Sequence, residues 1–282
     1  MASDSPKDSG FARDGDDPVQ TVASERSAEV PAGPVEDMAW RRISLRQSFA
    51  YLMIPVALLS LISGSLALAT QLSPPESVET VRFWFYFFDV GREINLPTWF
   101  SAGLWITAGI LAGYFARRAS RHRRAWAVFC VVCMVFSIDE TLELHERLDT
   151  IGNELGRYLS LQLGFTWVIP GVLIAGLIVL SLLKMVLALP RSPRAGLLAA
   201  GIIFVAGGVG VETLSGLFVA GGTLPWQFFL LTLVEETLEM TGIALGVAAL
   251  AHLIAYRHSA DLSTAFRVAD RPLPEIERAA GR

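Results

Sequence analysis

Long apolar runs separated by short charged segments dominate the chain from about residue 49 to residue 256. A helix needs about 20 mostly apolar residues to cross the hydrocarbon core of a bilayer, and six segments come near or exceed that length. They predict transmembrane helices at about 49–70, 98–116, 125–148, 165–189, 195–219 and 226–256. We therefore expect an all-α fold, a polytopic six-helix membrane bundle.

Two polar tails flank the apolar region. Residues 1–40 are rich in Asp, Ser, Pro, Ala and Gly and show no apolar periodicity. Such a segment cannot bury enough surface to offset its ordering entropy, which predicts a disordered N-terminal tail. Residues 259–282 are also polar and predict a loose C-terminal tail.

Basic residues lie before the first predicted helix, between the second and third, between the fourth and fifth, and after the sixth. The densest group is RRASRHRR at 117–124, which contains five arginines. Loops rich in arginine and lysine stay in the cytoplasm during insertion. The pattern predicts a cell inner membrane protein whose N- and C-termini are both cytoplasmic. The other basic residues that support it are Arg41, Arg42, Arg46, Arg191, Arg194 and Arg257.

The composition excludes an ordinary soluble domain, since 52% of the residues are hydrophobic and only 18% are charged. The expected partner is the lipid bilayer, and no segment resembles a nucleic-acid surface. The cysteines, Cys130 and Cys133, form a C-x-x-C spacing inside an apolar helix. That context favours buried packing over redox or zinc chemistry.

Acidic residues interrupt the third predicted helix. It begins as an apolar run at Ala125 and, after Ile138, fills with acid without any turn signal. A charge at membrane depth is costly, so it normally faces a protein interior or a wet cavity. With a rise of about 1.5 Å per residue, Asp139 and Glu143 lie about 22 to 28 Å above the basic end. Glu212 and Glu239 reach a similar level on the fifth and sixth helices.

Helix geometry predicts which acids share a face. Asp139, Glu143 and Glu146 fall within about 60° of one another, whereas His145 points away. Glu235 and Glu239 share a face of the sixth helix. We therefore expect one outward-facing cluster with a polar mouth. Its predicted members are Asp139, Glu143, Glu146, Glu212, Glu235 and Glu239, with Asp89, Glu93, Asn95 and His145 at the mouth.

Neighbouring carboxylates repel each other unless a cation or shared protons relieve them. Carboxylate oxygens suit Ca²⁺, Mg²⁺ or Mn²⁺, and His145 alone is too few imidazoles for a typical catalytic zinc site. The cluster therefore predicts either a hard divalent cation or protons. The remaining alternative is that the acids only cap the outer helix ends in water or pair with arginines.

Two classes of function remain open. The first is a site protein, meaning a transporter, sensor or enzyme that uses the cluster to bind an ion or a small ligand. The second is a structural or assembly subunit whose acids pair with a protein partner or a second copy. No Gly-rich phosphate loop, G-x-S-x-G elbow or H-E-x-x-H motif is present. The sequence therefore leaves open whether the protein is an enzyme.

Three strings carry a resemblance: FDVGREINLPTWFS at 88–101, SIDETLELHERL at 137–148 and VEETLEMTG at 234–242. Together they resemble a group of uncharacterised bacterial multi-pass inner-membrane proteins. The resemblance covers most of the apolar region and neither tail. It implies the topology and a bacterial inner-membrane location, and it adds no reaction.

Overall fold

A computed structural model describes residues 40–159, 164–220, 222, 225–258 and 263–270. These ranges are mainly helical, with one small sheet. The helices are α1 (Leu45–Leu72), α2 (Pro75–Phe88), α3 (Leu96–Arg118), α4 (Arg123–Leu142), α5 (Asp149–Leu159), α6 (Val168–Leu187), α7 (Arg191–Val205), α8 (Glu212–Ala220) and α9 (Pro225–Ala251). The strands are β1 (Arg41–Arg42), β2 (Ile254–His258) and β3 (Thr264–Val268). The predicted disordered tail, 1–40, lies almost entirely outside the described residues.

Within the described ranges, five helical segments are long and apolar enough to cross a membrane. They are α1, α3, α4, α6 and the continuous segment Arg191–Phe218 that contains α7 and most of α8. The prediction of a mainly α-helical membrane protein is confirmed at this level. The sixth predicted span corresponds to α9, an apolar helix that carries Glu235, Glu236 and Glu239.

The third helix is shorter than predicted. We expected it to continue to residue 148, but α4 ends at Leu142 and Glu143 adopts a left-handed conformation with φ 48°. The Asp139 carboxylate accepts the backbone N–H of His145 at 2.7 Å and contacts its ring Nδ1 at 2.9 Å. The chain therefore turns back here, and His145 faces Asp139 instead of pointing away. Glu143 and Glu146 consequently do not continue the helical face of Asp139.

The end of the sixth helix also differs from the prediction. We expected helix as far as residue 256, but α9 ends at Ala251 and β2 follows. Strand β2 pairs antiparallel with both β1 and β3, in the order β1-β2-β3. Part of the predicted loose C-terminal tail is therefore the strand β3. The pairing of β1 with β2 brings the chain before α1 and the chain after α9 side by side.

Helix α9 lies at the centre of the bundle and packs against α1, α3 and α7. Its approach to α7 is close at Gly242, where an added β-carbon would lie 2.8 Å from Phe204 N and 2.9 Å from Ala200 O. Small residues allow membrane helices to approach this closely. This contact sets the position of α9 relative to the end of α7, from which the chain continues toward Glu212 at the start of α8.

Candidate functional site

Glutamates from four parts of the chain interact electrostatically with one another at one end of the bundle. Glu239 interacts with Glu236, Glu140, Glu235 and Glu212. Glu236 interacts with three of these residues and also with Glu93, which precedes α3. We call this group the carboxylate cluster. Its members are Glu93, Glu140, Glu212, Glu235, Glu236 and Glu239.

A chain of polar and aromatic contacts runs along one side of the carboxylate cluster. The side chains of Glu212 and Glu235 interact electrostatically. Glu212 Oε1 also accepts a hydrogen bond of 2.6 Å from Trp167 Nε1. The Trp167 ring lies 4.7 Å from the His145 ring, measured between centroids. His145 in turn contacts Asp139, so the contacts connect the end of α4 to α9.

A short π-helical segment, Ala206–Val211, makes room for Glu239. A β-carbon at Gly208 would overlap Glu239 Oε1, and one at Gly207 would lie 2.9 Å from the backbone oxygen of Glu235. Only glycine fits at these two positions without a shift of the neighbouring side chain or backbone. Segments of π-helix inside α-helices are frequent at functional sites.

Three aromatic rings lie below the carboxylate cluster, toward the basic end. Ring centroids are 4.8 Å apart for Trp105 and Phe136, 5.2 Å for Trp105 and Phe204, and 5.5 Å for Phe136 and Phe204. Each ring belongs to a residue four positions along its helix from one that lies beside the glutamates. Four positions are about one helical turn, in the direction of the basic end. The residues beside the glutamates are Ser101, Glu140 and Gly208. The three rings form an apolar floor under the carboxylate cluster.

Two hydrogen-bond donors on α3 point into this region. The Ser101 hydroxyl lies beside Glu140 and is almost completely buried, with 2% of the residue exposed. Neither Ser101 Oγ nor Trp105 Nε1 has a hydrogen-bond partner among the described residues. Buried polar groups are normally satisfied by protein or by ordered water. Two buried donors without a partner among the described residues therefore lie one turn apart on α3.

The six residues predicted for the cluster divide into two groups. Glu212, Glu235 and Glu239 lie in the carboxylate cluster. The other three lie in the last turn of α4 and in the bend that follows it. Asp139 holds His145, Glu143 forms the C-terminal cap of α4, and Glu146 is exposed on a single 3₁₀ turn, Glu146–Leu148.

The four residues predicted for the mouth of the cluster also fall into two groups. Asp89 Oδ1 accepts the backbone N–H of Gly91 at 3.2 Å. The Asn95 amide donates to the Asp89 carbonyl at 2.6 Å, and its side-chain oxygen caps α3. These two side chains shape the turn between α2 and α3. Glu93 instead joins the carboxylate cluster, and His145 lies at its edge with 35% of its side chain exposed.

Sequence reasoning did not assign Glu140, Glu236, Trp167 or Ser101 to the site. Glu140 and Glu236 stand next to assigned acids, and a search for every acid at the same depth would have included them. Trp167 caps the N-terminus of α6 and carries no motif that points to Glu212. Nothing in the sequence identifies that contact.

No group of three or more His, Cys, Asp or Glu side chains in the described part of the chain is arranged to hold a metal ion. A Ca²⁺, Mg²⁺ or Mn²⁺ site therefore stays a prediction from the sequence. Cys133 is buried and Cys130 is partly buried, and both are free thiols.

Two titratable groups outside the membrane-spanning segments, Glu93 and His145, have raised pKa values. Burial, followed by repulsion from Glu140, Glu143 and Glu146, raises the pKa of Glu93 to about 7. For His145, burial lowers the pKa, but the hydrogen bond and charge of Asp139 outweigh it and the net pKa is raised. Both groups therefore bind protons more tightly in the folded protein than in the unfolded chain.

We expect stability to fall as pH rises. The folded protein holds more protons than the unfolded chain between pH 4.5 and about 7 because of Glu93. The contribution of His145 is complete below its unfolded pKa of about 6.5 and is lost as pH rises through its higher folded pKa. Thermal unfolding measured across this pH range should show the loss of stability. Glu93→Gln should make this loss of unfolding free energy smaller by about 1 to 2 kcal/mol, after screening by solvent. The matched control, exposed Glu154→Gln, should leave the profile unchanged; an unchanged profile in Glu93→Gln would contradict the assignment.

Fold and site together define a class of protein: a mainly helical membrane protein that gathers glutamates from several helices above an aromatic floor. The chain belongs to the family described as Domain of unknown function (DUF8692), whose model matches residues 51–253. The matched range contains the whole carboxylate cluster and all three rings of the floor. No curated protein and no solved structure matches the chain.

Proposed function

We propose that the carboxylate cluster binds protons shared between its glutamates, and that the protein uses this proton binding in transport or sensing across the membrane. The observation that carries the proposal is the proximity of the Glu212 and Glu235 side chains, with Glu212 Oε1 held by Trp167 Nε1. An ionised carboxylate has only acceptor atoms, so two carboxyl groups hydrogen bond to each other only when one carries a proton. Trp167 Nε1 donates to Glu212 at 2.6 Å, which favours Glu212 as the ionised partner of the pair.

The surroundings of the pair support the same proposal. Six ionised carboxylates near one another in a low-dielectric region would repel strongly, and each would also lose hydration. Protons remove this repulsion without any further ligand. His145 gives the cluster a titratable group at its edge, because it is partly exposed and interacts electrostatically with both Glu212 and Glu146. Protons would enter from that end.

The proposal includes the orientation of the chain. We place α9 as a sixth span, with the sheet and the loop between α3 and α4 in the cytoplasm of a bacterial inner membrane. The pairing of β1 with β2 supports one common side for the chain before α1 and the chain after α9. Asp270 Oδ2, just after β3, accepts the backbone N–H of Ser120 at 2.8 Å, which ties the basic loop to the same end. The carboxylate cluster would then open to the outside.

Added cations distinguish protons from a metal. If protons satisfy the cluster, thermal stability at fixed pH should not change with Ca²⁺, Mg²⁺ or Mn²⁺. A bound cation would instead raise stability with concentration, by mass action. That gain should disappear in Glu239→Gln and persist in the exposed control Glu79→Gln. A cation-dependent rise that Glu239→Gln abolishes would replace the proton proposal with a hard-cation site.

If the protein is instead a subunit of a membrane complex, substitutions in the carboxylate cluster should have a different effect. A subunit whose acids pair with a partner should lose co-purifying protein when Glu235 or Glu239 is changed to glutamine. On our proposal the same variants keep their associated proteins and lose proton binding.

A further inference from the structure

A cavity of about 480 Å³ lies where β1 leads into α1, at the opposite end of the bundle from the carboxylate cluster. Hydrogen-bond donors line much of it, and the described lining residues include no carboxylate. The donors come from β1, from the first turns of α1 and from β2. They are Arg41, Arg42, Gln47, Ser48, Tyr51 and Tyr256. Two guanidinium groups in a cavity whose described lining residues are otherwise neutral favour a negatively charged occupant.

The neighbouring sheet adds positive charge. Burial, followed by repulsion from Arg267, holds the pKa of Arg42 below its usual value. The guanidinium groups of Arg267 and Arg257 lie 4.3 and 5.2 Å from the centre of the Trp40 ring. The ring holds these two cations close to β1.

The position of the cavity indicates the source of the anion. It opens at the first turns of α1, one of the helices long and apolar enough to cross a membrane. Tyr51, in the second turn, is 71% exposed, as is typical of an aromatic ring at the boundary between lipid and water. Lipid phosphates lie at that boundary. Arginine binds phosphate through two parallel hydrogen bonds, so the donors and the depth agree.

We propose that this cavity binds the phosphate group of an anionic membrane lipid, with Arg41 and Arg42 contacting the phosphate and Tyr51 lying beside the lipid chains. The site is separate from the carboxylate cluster, and the proposal does not depend on proton binding there. It assigns a role to the sheet and to the start of α1, which the proposed function leaves unused.

Native mass spectrometry of the full chain, with equal amounts of phosphatidylglycerol and phosphatidylcholine, tests the lipid site. The wild-type protein should retain phosphatidylglycerol preferentially. Each arginine near an anionic headgroup contributes enough that Arg41→Gln should lower this preference about fivefold and the double variant Arg41→Gln/Arg42→Gln about 30-fold. Arg46→Gln is the matched control, since Arg46 is exposed in the first turn of α1 and is not among the residues that line the cavity. It should retain the wild-type preference.

Two results would overturn the proposal. The first is an equal loss of phosphatidylglycerol in Arg41→Gln and Arg46→Gln, which would mean attraction to the surface without a site. The second is a rise in thermal stability with inorganic phosphate that Arg41→Gln abolishes, which would assign the cavity to a soluble phosphate compound. Because the Arg41 side chain is exposed, Arg41→Gln should keep the wild-type stability, and thermal unfolding measures this directly.

Discussion

Replacing Gly242 by leucine should destabilise the protein by about 3 kcal/mol. A β-carbon at this position would lie within 2.9 Å of two backbone atoms of α7, Phe204 N and Ala200 O. Backbone atoms inside a helix cannot rotate away as a side chain can, so α7 and α9 would have to separate. Thermal unfolding of the purified protein measures the loss.

Gly201→Leu is the matched control for this substitution. Gly201 belongs to α7, and a β-carbon there would meet nothing within 4 Å. Its replacement should change stability by no more than about 0.5 kcal/mol. Equal stability of Gly242→Leu and Gly201→Leu would contradict the close approach of α7 and α9, and with it the position of Glu239 against Gly208.

The apolar helices could be predicted from the sequence because their signal is local. Each spanning segment is a long run of apolar residues, and the observed starts of α1 and α3 lie within about four residues of the predicted ones. The cap residues Ser44 and Asn95 explain where these helices begin, since each side chain accepts a hydrogen bond from a backbone N–H of the first turn.

The bend after α4 could not be predicted in the same way. The run LELHERL alternates apolar and charged residues in a manner that a helix accommodates, and it contains neither glycine nor proline. The helix ends because the Asp139 side chain captures the backbone of His145, a contact six residues apart. A local pattern does not report such a contact, so the predicted shared face failed at Glu143 and Glu146.

The strands were missed for a related reason. The segment HLIAYRH continues the apolar character of α9 and gives no sign of a strand. Its conformation depends on β1, more than 200 residues earlier in the chain, and on β3. His252 Nδ1 also contacts the Ile43 carbonyl at 2.7 Å, which closes the end of α9 against the same distant segment.

The predicted height of the acids along their helices was a better guide to the site than the predicted shared helix faces. Glu212 and Glu239 were expected at one level, and their side chains interact electrostatically. Depth follows from the regular helix rise, which depends little on neighbours. The contact of Glu212 with Trp167 depends on how α6 begins beside α8, and no residue pattern encodes it.

The Glu212–Glu235 pair should lose its shared proton when Glu235 is changed to glutamine. The introduced amide can still donate a hydrogen bond to the Glu212 carboxylate, so the packing should be preserved while one ionisable group disappears. A glutamine side chain carries no titratable proton, and the pair would then hold an ionised Glu212. Exposed Glu79→Gln, 78% exposed at its side chain, is the matched control.

Infrared difference spectroscopy tests this central claim most directly, because protonated and ionised carboxyl groups absorb at different frequencies. The purified protein in lipid should show a protonated carboxyl band at pH 7, which is weaker in Glu235→Gln by the contribution of the Glu212–Glu235 pair and unchanged in Glu79→Gln. A protein with no protonated carboxyl band at pH 7, or with the same band in wild type and Glu235→Gln, would contradict a proton shared between Glu212 and Glu235.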